Sequence, residues 1–136
     1  MIIAGMKPRE KFIKLAKSRP NIMVVANPDD KKMFDLIRNA QVNILVTFQA
    51  TGLKLKLLNT LYNGRFCLVN EPMIKGTSLD SLCETANTTE ELRTKLKKLF
   101  SKEFTLDEVS RRSDLLKVRY DNLVNGKRMS GLIYKL

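Results

Sequence analysis

The chain has 136 residues, which suits one domain that buries roughly 68% of its unfolded surface. Its 43% hydrophobic and 29% charged residues are ordinary for a folded protein, and no apolar run approaches the ~18–20 residues of a membrane span. Histidine is absent, which excludes zinc chemistry and Ser-His or Cys-His catalytic groups, and no metal site is expected.

The net charge of +11 favours an anionic partner, namely a phosphorylated small molecule, an anionic membrane surface or nucleic acid. A basic, solvated surface without a partner is the alternative. Tryptophan is absent and aromatic residues are not interleaved with basic ones, so the sequence does not favour nucleic-acid binding.

The first half of the chain alternates short apolar runs with helical periodicity. Residues 2–4 form a run that Gly5 ends, and a helix is predicted from about Pro8 to Ser18, just before Pro20. The next predicted strand, 22–26, is followed by Asn27 and Pro28.

Three further predicted elements follow, and their limits come from capping residues and glycines. Asp29 or Asp30 is expected to cap a helix that ends near residue 40, before a strand at 42–46. A helix over about 53–62 should stop at Gly64 in the left-handed conformation, and residues 66–69 form the next strand.

The second half has a looser pattern. A loop is expected at 71–77, a helical turn at 79–82 and a brief edge strand at 84–86. Capping boxes beginning at Thr88 and Thr105 predict two helices. The segment from residue 111 onward should be helical, and broken or kinked around Asp121 and Gly126.

Continuous apolar strands that alternate with helices predict an α/β fold over one domain, residues 1–136. The expected architecture is a Rossmann-like, doubly wound parallel sheet with helices on both faces and additional C-terminal helices. Ligands of such sheets bind beyond the carboxyl ends of the strands. Gly5, Asn27, the turn at 47–52 and the segment 70–76 are therefore expected to line one crevice.

The turn after the third strand has the features of an anion site. It ends in Gly52, which permits close approach to the backbone, and it leads into a helix N-terminus that carries Lys54 and Lys56. A tight turn without a ligand, and lysines on a solvated helix face, remain the alternatives. The polar side chains of the turn could bind phosphate or sugar oxygens, or cap the turn locally; they are Thr47, Gln49 and Thr51.

The two cysteines, Cys67 and Cys83, lie in apolar surroundings and form no CxxC motif. Reduced core thiols are expected in preference to a disulfide.

Four segments in order resemble the C-terminal, donor-binding domain of GT-B glycosyltransferases of the retaining, family-4-like kind. They are Ile2-Ile3-Ala4-Gly5, residues 21–30, residues 37–46, and residues 51–68, in which Gly52 and Gly64 have the spacing of the family motif. The resemblance implies a nucleoside-diphosphate sugar as substrate, hexosyl transfer to a sugar or lipid-linked acceptor, and no cofactor or obligatory metal. Ala26 and Asn27 would then lie in the loop that contacts the base. The residues assigned to donor and phosphate binding are Gly5, Thr47, Gln49, Thr51, Gly52, Leu53, Lys54, Lys56 and Asn59.

The chain departs from the family in two respects. Thr51 and Asn59 stand where the family has two glutamates, and Lys54 and Lys56 stand where it has a glycine and a proline. The chain also begins at what looks like the second strand, so an N-terminal domain or partner chain is expected to complete the sheet, and this part alone is expected to be inactive. The resemblance implies a cytoplasmic location, peripheral at the inner membrane face. A non-catalytic binding or assembly module is the alternative function.

Overall fold

Residues 1–49 and 54–134 are described by a computed structural model, in which parallel strands alternate with helices. The α/β class is therefore confirmed. The chain divides into two compact units, Met1–Ala40 and Gln41–Leu136. That residues 1–136 form a single domain stays a prediction.

The first unit consists of two strands and two helices. Its elements are β1 (Ile2–Gly5), α1 (Glu10–Ser18), β2 (Met23–Ala26) and α2 (Asp30–Asn39). The strands are parallel, with Ile2 opposite Met23 and Gly5 opposite Ala26, and α1 packs against β2. As predicted, α1 ends before Pro20, and Asp29 caps α2 by accepting a hydrogen bond from the Lys32 amide at 2.7 Å.

The second unit contains a three-stranded parallel sheet in the order β3-β4-β5. Its elements are β3 (Val42–Leu45), α3 (Leu55–Asn63), β4 (Phe66–Val69), α4 (Glu71–Ile74), a 3-10 turn (Asp80–Leu82), β5 (Glu84–Thr85), α5 (Thr89–Phe100), α6 (Leu106–Tyr120) and α7 (Asn122–Tyr134). The predicted helical turn, which is a 3-10 turn, the short edge strand and the helical C-terminal segment are confirmed.

Strand β4 lies at the centre of that sheet, and all four of its residues are buried. Because successive side chains of a strand point to opposite faces, β4 contributes to two hydrophobic clusters. One cluster, with α5, contains Phe66, Leu68, Ala86 and Leu99. The other, with α3 and α6, includes Cys67, Val69, Leu57, Leu61 and Leu116. This three-stranded sheet therefore has helices on both faces.

Two local expectations were wrong, and a third is confirmed only in part. Gly64 is in extended backbone (φ −96°, ψ −178°), and α3 ends without a left-handed residue, since the Gly64 amide bonds the Thr60 carbonyl at 2.7 Å. Residues 71–77 were expected to be loop but begin with α4, which has a proline in its first turn. The C-terminal helices separate at Asp121 as predicted, whereas Gly126 lies inside α7.

Arg112 joins α6 to the connection between α3 and β4. Its Nη1 donates to the carbonyls of Leu61 (3.0 Å) and Gly64 (2.7 Å), and its Nη2 donates to the carbonyl of Arg65 (2.7 Å). The guanidinium also lies 4.8 Å from the ring centroid of Phe104. Burial of this charged group lowers the pKa of Arg112.

The capping box predicted at α5 is complete. Thr88 Oγ1 accepts a hydrogen bond from the Glu91 amide at 3.2 Å, and Glu91 Oε2 accepts from the amides of Asn87 (2.7 Å) and Thr88 (3.3 Å). These amides, that of Asn87 first, lower the pKa of the Glu91 carboxyl because they stabilise its ionised form.

We expect Glu91→Gln to reduce the pH dependence of stability. A carboxyl whose pKa is lower in the folded state stabilises the fold above its unfolded value, about 4.3, and this contribution is lost as pH falls through the folded pKa. Unfolding midpoints measured from pH 7 to pH 3 should therefore differ most between wild type and variant near neutrality, and converge in acid. Glu90→Gln, in the same first turn, controls for loss of a charge at the helix N-terminus. If the unfolding midpoints of wild type and Glu91→Gln differed by the same amount from pH 7 to pH 3, the lowered pKa of Glu91 would be contradicted.

Candidate anion-binding site

Asn70 fixes the start of the turn that follows β3. It comes directly after β4, the strand next to β3, and its side-chain amide pairs with both backbone groups of Thr47. Asn70 Nδ2 donates to the Thr47 carbonyl at 2.7 Å, and Asn70 Oδ1 accepts from the Thr47 amide at 3.0 Å. The sequence predicted this residue only as part of the segment 70–76. The signal was its place as the first polar residue after a buried strand.

The turn itself is held by local hydrogen bonds. Thr47 Oγ1 accepts from the Gln49 amide at 3.3 Å and is 3.4 Å from the Gln49 carbonyl, to which it donates. Between these residues, the Phe48 side chain is 95% exposed. The local capping role weighed for Thr47 is therefore present. Thr51, Gly52 and Leu53 lie outside the described residues, so the role of Gly52 stays a prediction.

Lys54 packs its side chain under the turn. It is only 9% exposed, and its ammonium donates to the Gln49 carbonyl at 2.9 Å. Its own carbonyl accepts from the amides of Leu57 (2.8 Å) and Leu58 (3.1 Å), so Lys54 is the N-cap residue of α3. This lysine stabilises the turn from within as well as adding positive charge.

The N-terminus of α3 offers an exposed surface with positive potential. Among the residues that the structure describes, no side chain caps it, and its first turn has no acidic residue. The amides of Leu55 and Lys56 lie in the turn where a helix has no acceptors of its own. Lys56 is exposed, and its Nζ lies 3.4 Å from the Val46 carbonyl. Asn59, one turn further, is also exposed, and its carbonyl accepts from Asn63 Nδ2 at 2.9 Å.

The predicted residues of the first unit meet at the carboxyl ends of β1 and β2. The Asn27 amide donates to the Gly5 carbonyl at 2.9 Å, and Asn27 Oδ1 accepts from the Lys7 amide at 2.8 Å. Lys7 (φ 44°) and Asn27 (φ 50°) both adopt left-handed backbone, and each precedes a proline. Ala26 ends β2 and is exposed. Gly5, Ala26 and Asn27 thus lie in one unit, while the other residues assigned to donor and phosphate binding belong to the second unit.

Two cavities of the second unit are lined in part by residues that the sequence did not single out. One of about 80 Å³ is lined by Cys67, Cys83, Glu108 and Arg112, among others. The other, about 390 Å³ and open to solvent, lies between the segment at Gly76 and the helices α6 and α7, and Tyr120 beside it donates its hydroxyl to the Thr77 carbonyl at 3.0 Å. Arg112 and Tyr120 act across more than forty positions of sequence, so no local pattern reveals them.

The described ranges 1–49 and 54–134 contain no cluster of His, Cys, Asp and Glu side chains placed to hold a metal ion. Over the same ranges, no helix has the length and apolar character needed to cross a membrane. The described part of the second unit does contain a turn held by Asn70, two lysines and a helix N-terminus that no described side chain caps, beyond a parallel strand. Comparison of the chain with protein-family models, curated proteins and solved structures found no match.

Proposed function

We propose that the chain is the donor-binding domain of a GT-B glycosyltransferase of the family-4-like kind. In this proposal the fold is of the doubly wound, Rossmann-like kind, and the substrate is a nucleoside-diphosphate sugar. The order and spacing of the four family-like segments support the proposal, together with the α/β class and the parallel strands.

The observation that carries the proposal is the arrangement between β3 and α3. An oxyanion placed at this helix N-terminus would meet first-turn amides and the positive end of the helix dipole. Lys56 is exposed one residue into the helix and can move from the Val46 carbonyl to a phosphate oxygen. Lys54 keeps the turn closed through its bond to the Gln49 carbonyl.

These groups suit the charge that develops during hexosyl transfer. The bond between the anomeric carbon and the diphosphate oxygen breaks, a bond to an acceptor hydroxyl oxygen forms, and the nucleoside diphosphate leaves with the bonding electrons. Amides and ammonium groups fixed near that diphosphate stabilise the departing negative charge. We assign no residue of this chain as nucleophile or base.

The remaining parts of the proposal concern partners and location. Asn59 would hydrogen-bond a donor hydroxyl, and Ala26 with Asn27 would contact the base. The acceptor is a sugar or a lipid-linked sugar, and a further domain or partner chain completes the active site. The net charge of +11 supports a peripheral location at the cytoplasmic face of an anionic membrane.

Calorimetric titration of the chain with UDP, GDP and ADP at 0.15 M salt tests the proposal. We expect saturable binding of one nucleoside diphosphate, weakened about tenfold by Lys56→Ala, which removes one charged hydrogen bond to phosphate. Lys98→Ala, which removes the same charge from an exposed position of α5, is the matched control and should bind like wild type. The proposal would be contradicted if the folded chain bound none of the three nucleotides, or if the two variants weakened nucleotide binding equally.

A donor-binding module without transfer chemistry is the second candidate function. It is favoured by Thr51 and Asn59, neutral residues that stand where the resemblance places glutamates. Both functions predict nucleotide binding, whereas only the first predicts transfer. Release of nucleoside diphosphate from the bound nucleotide sugar by the complete protein, in the presence of acceptor, distinguishes them.

A further inference from the structure

Cys67 and Cys83 lie opposite each other on neighbouring parallel strands. Strands β4 and β5 pair with Leu68 opposite Glu84 and Val69 opposite Thr85. Cys83 has extended backbone (φ −129°, ψ 153°) directly before β5, so the same register continued by one position places it opposite Cys67. Neighbouring strands are about 4.8 Å apart. This separation is within the range of about 4.4–6.8 Å that a disulfide spans between Cα atoms.

The two side chains also point to the same face of the sheet. Residues directly opposite each other in a parallel register share a face, and both cysteines belong to the cluster between the sheet, α3 and α6. Both are free thiols, as the sequence predicted. The neighbouring Cys83 thiol, and then burial, raise the pKa of the Cys67 thiol.

The pair is unequally accessible. Cys67 is 2% exposed, whereas Cys83 is partly exposed, and both line the cavity of about 80 Å³. That cavity also contains three basic residues, Lys102, Arg111 and Arg112, and two acidic ones, Glu84 and Glu108. Three basic residues against two acidic ones give this lining an excess of one positive charge, which favours anionic reagents.

We propose that Cys67 and Cys83 form an oxidisable dithiol, a covalent modification site in which an anionic low-molecular-weight disulfide such as oxidised glutathione generates an intramolecular disulfide. The Cys83 thiolate attacks one sulfur of the reagent, whose S–S bond breaks and releases one thiol. The Cys67 thiolate then attacks the Cys83 sulfur of the mixed disulfide, which forms the Cys67–Cys83 bond and releases the second thiol. Two electrons pass from the protein dithiol to the reagent, and the two thiol protons go to the two released thiolates.

The disulfide would close a loop over residues 68–82. This loop contains α4 and Asn70, whose side chain holds the turn at Thr47. Oxidation therefore restricts the segment that supports the candidate anion-binding site. The dithiol itself is independent of the proposed function, because it depends only on the β4–β5 register and the cavity.

Incubation of the chain in glutathione buffers of increasing oxidised-to-reduced ratio tests the proposal. Free thiols are trapped by alkylation and counted by mass spectrometry of the intact chain. We expect the monomer to lose two hydrogens without adding glutathione, and to recover both thiols when the ratio is reversed. Peptide mapping should join Cys67 to Cys83, and the oxidised chain should have a higher unfolding midpoint.

Single-cysteine variants test the assigned order of attack. Cys67→Ser should accumulate a mixed disulfide with glutathione at Cys83, because the resolving thiol is missing. Cys83→Ser should react at least about tenfold more slowly at its remaining buried thiol, since reactivity follows exposure and thiolate character. Unfolding of the variants in denaturant should remove that difference in reaction rate. Retention of both thiols by the folded wild type, in a buffer that oxidises the unfolded chain, would overturn the proposal, as would a reaction that stops at the mixed disulfide.

Discussion

Replacement of Arg112 by methionine is expected to lower the free energy of unfolding by about 3–4 kcal/mol, because hydrogen bonds from a charged donor to buried groups are among the strongest in proteins. The substitution removes all three hydrogen bonds that the guanidinium donates to the carbonyls of Leu61, Gly64 and Arg65. Those carbonyls would remain next to an apolar side chain, and the contact with the Phe104 ring would also be lost.

Arg111→Met is the matched control for this variant. Arg111 is the preceding residue of α6 and is exposed, so the same substitution there should change stability by no more than about 0.5 kcal/mol. Urea unfolding followed by circular dichroism gives both values. Similar losses for the two variants would show that the hydrogen bonds of Arg112 do not anchor α6.

Leu57→Ala is expected to lower the free energy of unfolding by about 3 kcal/mol. Leu57 is fully buried in the cluster between α3, β4 and α6, and the substitution leaves a cavity that rigid neighbours on several elements cannot fill. The lost packing belongs to α3, the helix whose N-terminus forms the candidate anion site. The substitution would therefore also reduce the population of chains in which that site is formed.

Leu55→Ala on the same helix separates packing from helix propensity. Leu55 is 62% exposed and undergoes the same chemical change, so its effect should stay within about 0.5 kcal/mol. The two variants are compared by the midpoint and slope of urea unfolding. If Leu57→Ala were as mild as Leu55→Ala, the cluster around β4 would have to be loosely packed.

Most elements of the chain follow from local rules, which explains why the sequence predicted them. The apolar run of β4, the proline after α1 and the capping box at Thr88 each act within a few residues. The stop at Gly64 was predicted wrongly because a glycine after a helix usually takes the left-handed conformation. Here the chain continues directly into β4, and the extended conformation of Gly64 leads into the extended backbone of that strand.

The candidate site was predictable in its position but not in its contacts. A turn after a parallel strand, followed by a helix with lysines, favours an anion site, because ligands of α/β sheets bind beyond the carboxyl ends of the strands and helix N-termini attract anions. The fixing of this turn by Asn70 depends on β4 lying next to β3, which no single segment encodes. Lys54, like Lys56, was expected to add positive charge at a phosphate, yet its side chain is buried against the turn because the Gln49 carbonyl lies within reach.

The pairing of Asn70 with Thr47 also determines how the sheet ends. The backbone ladder between β3 and β4 stops at Leu45 opposite Val69, and beyond it a side-chain amide takes the place of a peptide group. A surrogate peptide of this kind keeps the amide and the carbonyl of Thr47 paired beyond the last backbone rung, so the ladder can stop without an unsatisfied donor or acceptor at Thr47. The end of the sheet is therefore closed by one side chain, at no hydrogen-bonding penalty.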